Sequence, residues 1–140
     1  MKTWVLMYLL IWVVFFGMLV ALFPVFSYNI TVGIHGVIGV MIVIITFLIF
    51  RQTRVSQCPD RIKRITRSTF MFGVAAGVFG VALTVVPSSL LSGSVQDVVR
   101  FIHFSFSIVI ITQASSSATA FDMWEEKEYL PASPAPPAAP

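Results

Sequence analysis

Four long stretches of the chain are almost uninterrupted in their apolarity, and short polar segments separate them. They run approximately from Trp4 to Phe23, Ile30 to Phe50, Ser68 to Pro87 and Phe101 to Phe121, and none contains a lysine, arginine, aspartate or glutamate. About 20 apolar residues in a helix cover the hydrocarbon thickness of a bilayer. A backbone in lipid must satisfy its own hydrogen bonds, so helix is the expected form of all four stretches despite their many β-branched residues. The pattern predicts an all-α protein, an integral membrane up-down four-helix bundle. Residues 1–126 form the transmembrane domain, with spans approximately at 4–23, 30–50, 68–87 and 101–121. Residues 127–140, rich in Pro and Ala, form a disordered or polyproline-II tail.

Composition agrees with a membrane protein. The chain is 57% hydrophobic and 11% charged, against about 25% charged in ordinary globular proteins. Lys2 and the apolar run after it also have the outline of a signal peptide. That run is longer than a signal core and ends in the bulky Leu22, Phe23 and Pro24, so an uncleaved first helix is favoured. The placement of charge says more than the net value of +3. Arg51, Arg54, Arg61, Lys63, Arg64 and Arg67 lie between the second and third stretches with one acid, Asp60. By the positive-inside rule this basic loop over 51–67 is cytoplasmic, and both termini share its side. The segments Pro24–Asn29 and Ser88–Val99 then face outward. An anionic-lipid patch is the lesser reading of the six cations, and a nucleic-acid site is not expected. The sequon at Asn29-Ile30-Thr31 lies too near the membrane for efficient glycosylation. A single cysteine, Cys58, excludes an intrachain disulfide, and neither reactivity nor acylation is expected of it.

Ionisable groups within membrane spans are candidates for function. The only two here are His35 and His103. With no acid in the spans, a proton-coupled exchanger has nothing to exchange protons with. Ser105 and Ser107 near His103 lack the acid that a hydrolytic triad requires. His35 lies five residues past Ile30 on helix two and His103 five past Val98 on helix four, each roughly 7–8 Å deep. In an up-down bundle those helices are parallel and diagonal. The two imidazoles can therefore meet one plane from opposite sides, as axial ligands of a haem iron do. Gly39, one turn from His35, leaves room for a flat macrocycle. Gly73, Ala76, Gly77 and Gly80 form a small-residue face that admits a porphyrin edge or a close helix. Arg100, one turn outward of His103, is placed for a propionate. Each ligand also needs an acceptor for its other ring N–H, for which Thr31, Ser107 and a backbone carbonyl all qualify. A copper or zinc site is disfavoured, since only two strong ligands are present. The hydroxyls of Thr112, Ser115, Ser116, Ser117 and Thr119 are expected to face other helices, a partner subunit or a polar cavity. Gln113 is expected to bridge helices, with a quinone head as the lesser alternative.

On His35 with Gly39, and on His103, the chain resembles the four-helix haem-binding module of small membrane b-type cytochromes over residues 4–121. The resemblance implies one haem b held by His35 and His103 near the outer face, with Gly39, Gly77 and Arg100 lining it. It also implies electron transfer to a quinone or a redox partner subunit, in a carrier or complex subunit rather than a stand-alone enzyme. Such modules mostly hold two haems with four histidines, and here the inner pair is missing. The alternative expectation is a non-catalytic accessory subunit of a larger membrane complex, without haem.

Overall fold

The computed structural model describes the backbone of residues 2–22, 29–86 and 93–129, and within these the side chains of all but 2–4, 6–8, 20–22, 29 and 125–129. The tail beyond residue 129 and the connections over 23–28 and 87–92 lie outside the described residues. The chain is all-helical, with α1 at Lys2–Leu22, α2 at Asn29–Val55, α3 at Asp60–Val85 and α4 at Gly93–Tyr129. Three of these contain stretches long and apolar enough to cross a membrane: Ile30–Val55, Asp60–Val85 and Gly93–Trp124. In α1 the described apolar stretch is Leu9–Leu19.

The helices overrun the apolar stretches, and this corrects two expectations. The basic segment 51–67 is not a loop. Only residues 56–59 leave the helical conformation, so its six cations stand on the last turn of α2 and the first two turns of α3. Pro59, unable to donate within a helix, stands at the N-cap of α3 and accepts the backbone N–H groups of Ile62 and Lys63. Asp60 follows in the first turn, where a negative charge complements the helix dipole. Likewise Ser88–Val99 is not wholly a connection, because α4 begins at Gly93. Asp97 and Arg100 pair across one turn at 3.4 Å there. Polar residues do not stop a helix; they only stop its apolar stripe.

Each helix packs on the next in sequence, and α1 also packs on α4, which leaves α2 and α4 diagonal. Leu10 and Val13 of α1, Ile42 and Ile49 of α2, Ala76 of α3, and Ile110 and Ala114 of α4 form the buried centre. Phe106 packs between Phe72 and Phe79 at centroid distances of 5.6 and 5.7 Å. The outer surface carries Trp12, Phe15, Val37, Val40, Ile44, Met71, Val78, Val81 and Phe104, all exposed. An apolar surface of this extent is unsuited to water and suited to lipid, so this is a membrane protein in contact with a bilayer.

Among the described residues, hydrogen bonds between side chains of different helices gather toward the basic end. Gln113 on α4 accepts hydrogen bonds from Ser68 at 2.8 Å and Thr69 at 3.1 Å on α3, and so bridges the two helices. The hydroxyls of Thr53 and Thr66 meet at 2.9 Å between α2 and α3. Cys58 is buried in the turn with its thiol toward the Thr53 carbonyl at 3.6 Å. The hydroxyl-rich part of α4 divides between the inside of the bundle and its outer surface. Ser117 is buried, but Thr112, Ser115, Ser116 and Thr119 are exposed. Thr112, Ser116 and Thr119 donate to carbonyls four residues back on their own helix. That self-satisfaction is what lets a hydroxyl sit on an apolar surface.

Candidate site: a pair of carbonyl-anchored imidazoles

Within this bundle the two histidines come together across the α2–α4 diagonal. Their ring centroids are 6.0 Å apart and their planes cross at 67°. Both rings are partly buried.

Each imidazole is held by the helix preceding its own. Nδ1 of His35 lies 3.0 Å from the carbonyl oxygen of Val13 on α1, and Nδ1 of His103 lies 2.9 Å from that of Ala76 on α3. A carbonyl only accepts, so both Nδ1 atoms donate and carry the proton. The neutral ring then keeps its lone pair on Nε2. This is the tautomer of a metal-binding histidine whose other ring nitrogen is tied to an acceptor. Of the three acceptors the sequence left open, both histidines use a backbone carbonyl. Ser107 instead donates to the carbonyl of His103 at 3.0 Å.

A helical carbonyl is normally hidden from a third party, because it already accepts an N–H from four residues ahead. The side chain at that later position also leans back over the preceding turn. At the two anchoring carbonyls that position is a glycine: Gly17 follows Val13 by four residues, and Gly80 follows Ala76 by four. A Cβ on Gly17 would meet Cε1 of His35 at 3.1 Å, and one on Gly80 would meet Cε1 of His103 at 3.1 Å. The missing side chains therefore uncover the carbonyls and leave the slots in which the rings lie. Val13, Gly17 and His35 on the first hairpin repeat as Ala76, Gly80 and His103 on the second. The site is two copies of one arrangement, face to face.

Other sequence candidates fall around this pair. A Cβ on Gly39 would meet nothing within 4 Å, and one on Gly77 would be in ordinary contact with Val43 at 3.9 Å. Gly80, not Gly77, is the α3 glycine against a histidine. Arg100 lies one turn before His103, exposed and paired with Asp97. Gly17 and the two carbonyls were not foreseen. The available signal was depth across a hairpin, since Gly17 lies five residues before the end of α1 and His35 six after the start of α2. Among the described residues no group of three or more His, Cys, Asp and Glu side chains is placed to hold a metal ion. Comparisons with family models, with characterised proteins and with solved structures find no match to this chain.

Proposed function

We propose that this chain is a membrane electron-transfer protein or cytochrome subunit that holds one haem b between His35 and His103. One observation carries the reading: two imidazoles, each with Nδ1–H on a carbonyl and a lone pair on Nε2, with centroids 6.0 Å apart. Imidazoles bound through Nε2 on opposite sides of one metal, at bond lengths of about 2 Å, have centroids roughly 6 Å apart. A zinc ion in that place would lack two of its four ligands, whereas a porphyrin brings four nitrogens of its own. When bound, haem b supplies one-electron redox chemistry at iron, at a potential tuned by its axial ligands and surroundings.

The chain's own residues do the rest. The Val13 and Ala76 carbonyls fix the tautomer and orientation of both rings. Gly39 gives the macrocycle space, and Gly77 belongs to the small-residue face at its edge. The Arg100–Asp97 pair is solvent-exposed and hence weak, so Arg100 is free to turn to a propionate. By the positive-inside rule the α2–α3 turn and both termini are cytoplasmic. Four spans alternate in an up-down bundle, and the haem lies near the outer face. Two histidines would hold one haem, whose redox partner would then be a partner subunit, a redox protein or a quinone at the outer surface.

A second reading rests on the outward hydroxyls of Thr112, Ser115, Ser116 and Thr119 on α4. Polar ridges on membrane helices suit contact with another helix, as in an accessory subunit of a larger complex without haem. Titration of the detergent-purified chain with hemin separates the two. The first reading expects saturation at one haem per chain, with the spectrum of a six-coordinate low-spin iron. Under the second reading no saturable binding is seen.

A further inference from the structure

At the other end of α2 and α3 is a cleft of about 720 Å³, lined by Phe50, Thr53, Arg54, Asp60, Lys63, Arg64 and Arg67. It is independent of the histidine pair. Four cations share it with a single carboxylate. Asp60 is paired with Lys63 at 3.9 Å, and among the described residues Arg54, Arg64 and Arg67 have no acidic partner. Three guanidinium groups about one cleft give it a positive potential that attracts an anion. Their planar donor forks match the oxygens of a phosphate.

The surface below the cleft says what kind of phosphate. One turn below Arg54 on α2 comes Phe50, and one turn further Phe47. One turn below Arg67 on α3 comes Phe70. Phe50 and Phe70 stack at 5.7 Å, and Phe70 meets Phe47 at 5.4 Å. Phe47 is exposed, as is Val74 one turn below Phe70. The path from Arg54 to Phe47 descends roughly 10 Å, from guanidinium to aromatic to lipid-facing surface. A free anion uses only the top of this ladder, whereas an amphiphile uses all of it.

We infer that the cleft binds the phosphate headgroup of an anionic phospholipid, with an acyl chain along Phe50, Phe70 and Phe47. Basic pockets between transmembrane helices are suited to such headgroups. The test is native mass spectrometry of the full chain released from micelles containing dioleoylphosphatidylglycerol or dioleoylphosphatidylcholine. The chain should retain one phosphatidylglycerol under conditions that strip phosphatidylcholine. Replacing Arg54, Arg64 and Arg67 together by glutamine should lower that retention at least tenfold. Arg51, Arg61 and Lys63 remain to hold the topology, and circular dichroism checks the helices. If the glutamine variant does not fold, the triple Arg→Lys variant decides. It keeps the charge but loses the forks, and retention should fall several-fold. Equal retention of the two lipids, or undiminished retention in the folded variants, overturns the proposal. So does pyrophosphate that displaces the lipid at equal concentration, because the ligand would then be a soluble anion.

Discussion

Replacing His35 by alanine, or His103 by alanine, is expected to abolish stable haem binding, and the two variants should look alike. Each removes one of the chain's two imidazoles, and no third exists to replace it. Changes to the groups that merely orient a ligand cost about 10–100-fold in metal affinity, so loss of the ligand itself should cost more. The remaining histidine keeps its carbonyl anchor, on α1 for His35 or on α3 for His103. Any residual haem should therefore be five-coordinate and easily extracted. Hemin titration followed by absorption spectroscopy measures both effects. If one variant binds like the unaltered chain and the other does not, the two histidines are not ligands of one iron.

A valine at Gly17 or Gly80 should weaken haem binding on the order of 10–100-fold, although neither glycine supplies a ligand. At each position even a Cβ would come within 3.1 Å of the imidazole Cε1. The branches of valine would fill the slot and cover the carbonyl that the ring uses. The ring must then turn away, losing both its orientation and its Nδ1–H acceptor. Valine is a better helix former than glycine, so loss of the helix is not the expected failure. Circular dichroism should show the helical content unchanged while the affinity falls. Gly33→Ala serves as the control, since a Cβ there meets nothing within 4 Å. If Gly17→Val and Gly80→Val bind haem as well as that control, the glycines do not position the histidines.

The four helices were legible because apolar stretches without charge have one stable form in lipid, and the histidines stood out as the only ionisable groups within them. Helix ends were less legible. Residues 51–67 and 88–99 read as connections when hydropathy sets the boundary, yet over 51–55, 60–67 and 93–99 the backbone continues the helices into the polar region. The partners of the α4 hydroxyls were not legible either. Thr112, Ser116 and Thr119 bond to their own helix, and a sequence cannot show whether a hydroxyl is satisfied locally or across an interface. Gln113 did bridge to a neighbouring helix, because the backbone N–H groups around it are already bonded and its amide oxygen finds its donors on Ser68 and Thr69 of α3. The hardest part to read was the anchoring of the rings. It depends on two backbone carbonyls, which every residue has, and on Gly17 and Gly80, which matter for what they lack.

The most direct measurement is the absorption spectrum of the detergent-purified protein, produced in haem-replete cells and recorded oxidised and then reduced with dithionite. The account predicts a Soret band that sharpens on reduction, with resolved α and β bands and one haem b per chain. A colourless protein, correctly folded and made with haem available, would contradict it.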